Sequence, residues 1–512
     1  MVSWASPGGY DRAGSPAPLE ATAPSEGSAL SVPSRRAAAG VALLGLLVTT
    51  AACSGDDEDK DAGKLKANCT QIRCDGTRDG ANYKLELPPK WNGTLLIYSH
   101  GYRQAQPAPP DNTPVDTSAS DAPSPEVAQD LLAQGYALLG SSYKSNGWAV
   151  LDGVEANEDL YRWFLDEVGT PARTYVWGHS MGGLITQTFA EKHPDWVDGV
   201  IPMCGVLAGT NMNLDLALDV TYAVKHLGIY PDLKLTGYAS FEEAVQNFQG
   251  AYDAILAATR DVTGGVPRLL TVAALVDASP KTKTYDAHDA PSSVAALVES
   301  LVTAVGYGTF ARWEIEQRVG GNPSTNVGVV YADRIPPAER SGLLALTAGD
   351  KLDGYLAELD STERIAADAA PRKKADGLGN PRGDVKDPTI TLHTQYDPLV
   401  LVQNERVFAD RVFSSKDREA DLVQLYTAPP ATYESTPPDP NGGAPYGAGH
   451  CNFTRAEHLG VVALLDSWVQ SGVPPAAGRI AEVFPAPAEG QPATHGISTS
   501  VFPPAWPAAA AS

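Results

Sequence analysis

The sequence has few basic residues. Of its 512 residues, 38 are Lys or Arg against 61 Asp or Glu, and the formal net charge at pH 7 is −23. A protein of this charge repels nucleic-acid phosphates and anionic lipid headgroups. Cysteine is also scarce, with 5 residues, and no spacing between the cysteines is typical of a zinc site. The composition therefore argues against a nucleic-acid partner, and the cysteine pattern argues against a zinc centre.

The apolar run near the N-terminus is too short to span a bilayer, for which a helix needs about 20 residues. It extends from residue 37 to 48, follows Arg35 and Arg36, and ends with small residues before Cys53. This pattern resembles a bacterial lipoprotein signal peptide, in which the cysteine is lipidated and becomes the first mature residue. The resemblance implies export, with a lipid anchor at Cys53 as the only link to a membrane. Thr50 stands where such signals usually have Leu, so secretion without an anchor stays open.

In this interpretation, residues 1–52 are an N-terminal extension and signal peptide, and residues 53–80 are an acidic tether. Four cysteines then remain, an even number that suits two disulfides in an exported protein. They are Cys69, Cys74, Cys204 and Cys451. Three pairings are possible, and four buried thiols are the alternative.

Short apolar runs alternate with helix-like segments through residues 81–207 and again through residues 387–474. This alternation predicts an α/β core with a mainly parallel sheet flanked by helices. Residues 208–386 show helical patterns separated by Gly and Pro, which predicts a large helical insertion. The tail, residues 475–512, is rich in Pro and Ala and is expected to lie over the surface or to lack order.

The segment Gly178–Gly182 has the sequence Gly-His-Ser-Met-Gly and connects an apolar run to a helix-like segment. A strand, a tight turn and a helix in this order form a nucleophile elbow, in which Ser180 adopts a strained conformation and projects above the sheet edge. A serine hydroxyl is a poor nucleophile alone, so a base, an orienting acid and an oxyanion hole are also required.

Two later loops provide candidates for the acid and the base. Asp397 follows the predicted strand at 389–393, where a carboxylate can orient an imidazole. His450 follows the predicted strand at 422–426, in a Gly-rich loop that lets the ring reach back over the sheet edge. The order along the chain is Ser, Asp, His.

This arrangement resembles the α/β-hydrolase superfamily, through Gly178–Gly182, the Tyr-Ser-His-Gly of residues 98–101 and the two loops above. The resemblance implies that Ser180 attacks an acyl carbonyl, that His450 relays its proton, and that Asp397 fixes the histidine tautomer.

The resemblance has three further implications. The oxyanion hole would consist of the backbone N–H groups of Tyr102 and Met181. Residues 208–386 would form a cap over the acyl pocket, with Tyr307, Phe310 and Trp313 as candidates for its roof. In such a sheet two cysteines fall on the catalytic edge, so we predict a Cys204–Cys451 disulfide, whereas Cys69 and Cys74 are close enough in sequence to bridge each other.

Other candidates for the base and the acid are weaker. His100 is expected to shape the oxyanion loop, and His179 is bound by its place in the elbow. His393 is expected in the core, and His458 on the last helix as a solvent-facing or packing residue. Asp384 and Asp387 precede their strand and so belong to the wrong end of the sheet.

We therefore predict an exported serine hydrolase that cleaves small or polymeric carboxylic esters through an acyl-enzyme, without a metal or organic cofactor. A serine peptidase or aminopeptidase and an acyltransferase remain alternatives, because the same triad performs those reactions. The alternative outside enzymes is a catalytically inactive domain that serves as a surface binding module.

Overall fold

The computed structural model describes residues 64–65, 73–107, 112–282, 290–335, 337–346, 351–414, 421–429, 447–485 and 496–507. The predicted signal peptide, the proposed lipid site at Cys53 and the thiol of Cys69 lie outside the described residues.

The strands of the described residues form one large sheet and one short pair. In chain order they are β1 (Lys64–Leu65), β2 (Arg73–Arg78), β3 (Ala81–Glu86), β4 (Thr94–Ser99), β5 (Ala137–Ser141), β6 (Gly169–Thr170), β7 (Arg173–His179), β8 (Gly199–Met203), β9 (Thr389–Thr394), β10 (Leu422–Ala428) and β11 (Gly496–Ser498). Nine of them make a sheet in the order β11-β10-β9-β8-β7-β4-β5-β3-β2, and β1 pairs with β6. Within that sheet β4, β5 and β7 to β10 run parallel, and β2, β3 and β11 are antiparallel additions at its ends.

Helices cover both faces of this sheet. In chain order they are α1 (Pro125–Ala133), α2 (Val150–Trp163), α3 (Met181–Lys192), α4 (Thr210–His226), α5 (Phe241–Ala258), α6 (Gly265–Leu275), α7 (Ala290–Gly306), α8 (Arg312–Val319), α9 (Pro337–Leu346), α10 (Lys351–Ser361), α11 (Ala369–Gly377), α12 (Gln403–Ser414), α13 (Arg455–Ser471) and α14 (Ala477–Val483). π-Helical turns at Phe164–Val168 and Tyr307–Ala311 follow α2 and α7, and a 3₁₀ turn lies at Tyr331–Arg334.

The central strands are buried on both faces, as the apolar run of β4 predicted for that strand. Every residue of β4, β5, β8 and β9 is buried. Successive side chains of a strand point to opposite faces. In β4, Leu95 and Ile97 belong to the core that contains α2 and α3, whereas Leu96 and Tyr98 belong to the core that contains α1 and α13. The sheet is therefore the middle layer of a three-layer α/β structure.

The described residues between β8 and β9 form helices and their connections, at the position of the predicted insertion. Helices α4 to α7, α9 and α10 share an apolar core of their own, to which Tyr222, Leu301 and Leu356 contribute. Ile315 and Val319 of α8 belong instead to the core that contains α2 and α3. The segment Ser292–Val319 is long and apolar enough to cross a membrane, but 61% of its most apolar window is buried within the protein. That burial is what the central helix of the cap requires.

The strands at the two ends of the sheet, β2 and β11, were not predicted. The residues of β2 are polar and largely exposed, so they carry no apolar alternation. A positive φ at both Asp79 and Gly80 identifies the tight hairpin turn that pairs β2 with β3. In the tail, α14 packs on α13 and β11 pairs with β10, so part of this segment is ordered against the core.

Candidate active site

Ser180 lies between β7 and α3 in a backbone conformation that side chains rarely adopt, with φ 58° and ψ −123°. Its N–H donates to the Met203 carbonyl at the end of β8, over 3.0 Å. Residues held in such conformations cost about 1–3 kcal/mol each and persist only where the surroundings enforce them. The predicted elbow is therefore present, with Ser180 at its apex and 6% of that residue exposed.

The glycines of the elbow are required by the close approach of β4. A Cβ atom at Gly178 would lie 2.5 Å from the Ser99 carbonyl oxygen, and one at Gly182 would lie 2.0 Å from it. Any side chain at these positions would displace the end of β4. The loop after β4 also lies close to the serine. A Cβ atom at Gly101, in that loop, would lie 3.3 Å from the Ser180 Cβ.

Asp397 and His450 form the pair that the sequence predicted. The Nδ1 atom of His450 lies 2.7 Å from Oδ2 of Asp397. The other carboxylate oxygen, Oδ1, accepts the N–H groups of Leu399 and Val400 over 2.8 and 2.9 Å. Asp397 is 1% exposed and held from two sides. Because this carboxylate accepts from Nδ1, the proton of the neutral ring lies on that atom and Nε2 is left as the basic nitrogen.

The predicted disulfide between Cys204 and Cys451 is present, with a Cα–Cα distance of 5.5 Å. Cys204 follows Met203, which holds the Ser180 N–H, and Cys451 follows His450. The elbow and the histidine loop are thus joined by one hydrogen bond and one covalent link. Thr394 at the end of β9 also donates to the Gly449 carbonyl over 2.6 Å. Cys74 is described on β2, but the predicted partner Cys69 lies outside the described residues, so that pairing stays a prediction.

Of the two predicted oxyanion donors, one follows Ser180 in the chain and the other belongs to the loop after β4. Met181 is the first residue of α3, where N–H groups have no partner within the helix. Tyr102 is in the loop after β4, which touches Ser180 at Gly101. Among the described residues, neither the Met181 N–H nor the Tyr102 N–H donates a hydrogen bond. Both groups are therefore available to a developing negative charge.

His179 and His458 form a buried imidazole pair behind the elbow, with 3.0 Å between their Nε2 atoms. Nδ1 of His458 donates to the Thr454 carbonyl over 2.8 Å, so its Nε2 accepts from His179. Nδ1 of His179 in turn lies 3.4 Å from the hydroxyl of Tyr98. Burial lowers the pKa of His458 to about 4, and burial with the charges of His458 and His450 lowers that of His179.

The sequence left His458 as a packing or solvent-facing residue, and the structure shows it buried and fully engaged by this pair. His100 is also buried: its Nδ1 lies 2.7 Å from the Gly101 carbonyl and its ring stacks on Tyr143. Burial and the charge of Arg103 lower its pKa to about 3. This geometry fits its predicted role in shaping the loop.

His393 is buried in β9, as expected, and it also contacts the acid, which the sequence did not reveal. Its Nε2 lies 2.8 Å from the Val400 carbonyl and 3.7 Å from Oδ2 of Asp397, and its Nδ1 lies 3.2 Å from Glu405. Burial opposes the charged ring, but the hydrogen bond and charge of Glu405 outweigh it and raise the pKa. A His four residues before the acid was the only available signal.

An apolar pocket opens between the cap and the loop that carries Asp397. Its lining includes Leu301 and Ala304 of α7, Leu399 of the Asp397 loop and Tyr307 of the π-helical turn. Asn213 and Ser300 are the polar residues of this lining. Of the three aromatic residues expected in the roof, Tyr307 alone lines this pocket.

The other two expected roof residues pack inside the cap. The ring of Phe310 lies edge-on to Phe248 at 5.4 Å, and the ring of Trp313 lies 5.4 Å from Phe241.

At the opposite end of β9, burial and the charges of Asp198 and Asp421 raise the pKa of Asp387 to about 7. Asp387 is thus far along the strand from Asp397, as its position before β9 predicted.

The chain has the α/β-hydrolase fold: residues 127–246 match the family model described by that name, and the sheet is mostly parallel with helices on both faces. Among characterised proteins it is 26% identical over 428 residues to an o-phthalyl amidase of Xanthobacter agilis, an alignment that covers 77% of this chain and 86% of the amidase.

The chain also matches solved structures, among them an iminopeptidase and an esterase. A proline iminopeptidase of Mycobacterium smegmatis is 11% identical, with 78% of this chain and 99% of that chain covered and a TM-score of 0.33. Feruloyl esterase B of Aspergillus oryzae is 13% identical, with 82% and 84% covered and a TM-score of 0.35.

Proposed function

We propose that this protein is a serine hydrolase that cleaves carboxylic esters through an acyl-enzyme intermediate. The observation that carries the proposal is the 2.7 Å contact between His450 and Asp397, on a loop that a disulfide fastens beside the strained Ser180 elbow. A serine in a strained turn, a tautomer-fixed imidazole and a buried carboxylate are the parts that nucleophilic acyl transfer requires.

In the proposed reaction, Oγ of Ser180 attacks the acyl carbonyl carbon while Nε2 of His450 takes the hydroxyl proton. Asp397 stabilises the imidazolium that forms. The carbonyl oxygen becomes an oxyanion and accepts the N–H groups of Tyr102 and Met181. The imidazolium then protonates the leaving alkoxide, the tetrahedral intermediate collapses to the acyl-enzyme, and a water activated by the same histidine releases the acid.

The acyl group would occupy the apolar pocket beside Asp397. Leu301, Ala304 and Leu399 offer no charge to a substrate, so this pocket favours an uncharged, apolar acyl chain or ring. The polar residues of the lining, Asn213 and Ser300, already bond to Asn404 and to the Ser279 carbonyl. An apolar acyl group of moderate size is therefore the substrate class that we propose.

Amide cleavage is the second candidate, and the similarity to an amidase favours it. The same three residues perform both reactions, but an amine leaves only after His450 has protonated it. A panel of p-nitrophenyl esters and the matching acyl-anilides, with the same acyl groups, separates the two candidates by the ratio of their kcat/KM values.

The test of the proposal is the same panel applied to wild type and to Ser180→Ala. The substitution removes one hydroxyl and creates no sizeable cavity, so the melting temperature should change little while turnover falls about 10⁴-fold or more. If the variant keeps its activity on every ester and anilide, the proposal is wrong. Absence of turnover by wild type on the whole panel would favour a surface binding module, and transfer of the acyl group to an added alcohol would favour an acyltransferase.

We also propose that the protein is exported and anchored by lipid at Cys53. The Cys204–Cys451 disulfide supports this proposal, because such bonds persist in oxidising compartments. Expression in a bacterial host should place the wild type in the membrane fraction, and Cys53→Ser should release it. Recovery of the wild type as an unprocessed chain in the cytoplasm would contradict export.

A further inference from the structure

A helix of the cap reaches down to the loop at residues 144–148, which lies beside the loop that carries Tyr102. The carboxylate of Glu314 on α8 accepts the backbone N–H of Trp148 over 2.8 Å. Glu314 is 8% exposed, and burial is the largest cause of its raised pKa. A carboxylate is costly to bury unless it is paired and hydrogen-bonded, so these partners are needed to hold Glu314 in place.

The loop is shaped to receive this carboxylate. Gly147 has a φ of +84°, and a Cβ atom there would lie 2.3 Å from Cδ of Glu314. Any other residue would push the carboxylate away. Arg318, one turn further along α8, pairs with Glu314 at 2.8 Å and donates to the Asn146 carbonyl over 2.9 Å. Two side chains of the cap therefore form hydrogen bonds with the same loop.

This loop in turn holds the residues that follow Tyr102. The N–H of Gly147 donates to the Arg103 carbonyl over 2.8 Å, and the side-chain amide of Asn146 donates to the Gln104 carbonyl over 3.1 Å. A chain of direct contacts thus runs from Glu314 through Trp148 and Gly147 to the carbonyl of Arg103, the residue that follows Tyr102.

Aromatic packing supports the same loop from the other side. The ring of Tyr307, in the π-helical turn before α8, lies 6.5 Å from the ring of Tyr102 and 6.0 Å from that of Trp148, edge-on to the latter. The indole N–H of Trp148 also donates to Thr210 at the start of α4 over 3.0 Å. The position of the Tyr102 loop is therefore set by the cap as well as by the sheet.

We infer that Glu314 is a positioning residue for the oxyanion hole: by fixing the 144–148 loop it sets where the Tyr102 N–H points. The inference rests on the proposed function, because it assumes that this N–H serves a developing oxyanion. Oxyanion donors act only at the distance set for the transition state, so a small shift of the loop should lower kcat and leave substrate binding nearly intact.

The chain offers a matched control on the same helix. Glu316 is 3% exposed and, like Glu314, accepts one backbone N–H, that of Gly237 over 2.8 Å. Gly237 belongs to the cap, so Glu316 does not touch the 144–148 loop through this bond. Replacing Glu316 removes the same chemical group from the same helix without releasing the oxyanion loop.

The experiment compares Glu314→Ala, Glu314→Gln and Glu316→Ala with wild type on one p-nitrophenyl ester, with a melting curve for each. Glu314→Ala should lower kcat about 10- to 100-fold with KM within about threefold. Its affinity for a boronic acid, whose tetrahedral adduct on Ser180 needs the same donors, should fall in parallel. Glu314→Gln retains an acceptor for the Trp148 N–H and should recover most of kcat. Glu316→Ala should stay within about twofold of wild type in kcat.

Equal kcat losses in the two alanine variants, or a loss in Glu314→Ala that appears in KM alone, would overturn the inference. If Glu314→Ala does not fold, Glu314→Asp and Glu316→Asp take the place of the two alanine variants, because the shorter side chain moves the carboxylate away from its backbone N–H partner. A fall in kcat and boronate affinity in Glu314→Asp alone supports the inference, and equal values in the two variants contradict it. Failure of the proposed function is separate: it is seen when Ser180→Ala keeps the activity of wild type. In that case the inference fails with it, whereas an active wild type with an unaffected Glu314→Ala removes the inference alone.

Discussion

At the catalytic edge of the sheet, Tyr102, Ser180 and Asp397 lie within three residues of a strand end, whereas important contacts of the cap join residues far apart in the chain. Ser180 follows β7 directly and Asp397 follows β9 by three residues. The bond between Glu314 and Trp148 spans 166 residues. Local order therefore fixes which groups meet at the edge, and long-range packing of the cap fixes how accurately one of them is held.

The two regions also handle buried charge differently. At the edge, Asp397 meets His450, backbone N–H groups and the nearby His393, all within the sheet layer. In the cap, Glu314 and Arg318 pair with each other, and both also form hydrogen bonds with the 144–148 loop. In the proposed reaction the first arrangement serves a proton transfer, and in the inference above the second serves the position of a loop.

The largest expected effect separates the two histidines near the elbow. His450→Ala should lower kcat about 10⁴-fold, because it removes the base, while His458→Gln should stay within about threefold of wild type. Gln is chosen for the second site because its side-chain oxygen can accept the buried His179 N–H, which a residue without an acceptor would leave unsatisfied. Steady-state kinetics on one ester decide. A His458→Gln variant that loses activity while His450→Ala retains it would reverse the assignment of the base.

The disulfide should matter next, because it fastens the histidine loop to the end of β8. Its cysteines are 247 residues apart, and loops of this length are stabilised by up to about 5 kcal/mol in the chain-entropy model. Loss of the link through paired Cys204→Ser and Cys451→Ser changes should lower kcat at temperatures where the far-ultraviolet circular dichroism is still native. Cys74→Ser on β2 is the control.

Full activity of the double serine variant below its melting temperature would show that the disulfide acts on stability alone. The same would follow if reducing agent lowered activity and circular dichroism along one curve.

A smaller effect is expected in the acyl pocket, where the cap contributes specificity. Ala304→Leu on α7 fills space in the lining beside Tyr307, so kcat/KM should fall about tenfold for long acyl chains and change little for acetyl esters. Phe310→Leu, in the packing of α5 and α7, is the control and should lower the melting temperature without changing chain-length preference. If the Ala304 variant lost activity equally on every ester, the pocket would not be the site that binds the acyl chain.

The smallest expected effect is on stability against pH. The pKa of His458 is about 4 in the folded protein against an ordinary value of 6.5, so between these values the unfolded chain binds more protons than the folded one. Stability should therefore fall as pH drops from about 6.5 to about 4, by roughly 2–3 kcal/mol from this residue. Urea unfolding of wild type and His458→Gln at pH 7 and pH 4.5 measures it. An equal pH dependence in both proteins would contradict the effect.

The order of elements and the catalytic edge were predictable because local chemistry determines them. A Gly-His-Ser-Met-Gly turn needs little beyond a strand before it and a helix after it, and Asp397 and His450 lie in the chain between β9 and α12 and between β10 and α13. The pairing of Cys204 with Cys451 followed from the same strand ends. The elbow depends on backbone geometry that a short segment imposes on itself, whereas the cysteine pairing across 247 residues was predicted from the resemblance to a hydrolase sheet.

The contacts of the cap were not predictable, because no residue in it has a distinctive neighbourhood in sequence. Glu314 lies in the segment Arg-Trp-Glu-Ile-Glu, where two acidic residues look alike, and only the fold sends one to Trp148 and the other to Gly237. The His179–His458 pair and the contact of His393 with Asp397 are hidden for the same reason. Each joins a side chain to a partner on another element.

The most direct test of the account is peptide mapping after labelling with a fluorophosphonate, which phosphonylates activated serines. The account predicts one adduct, on Ser180, that is absent from Ser180→Ala and strongly slowed in His450→Ala. An adduct on another serine, or ester turnover that continues after wild type has been labelled to completion at Ser180, would contradict the central claim.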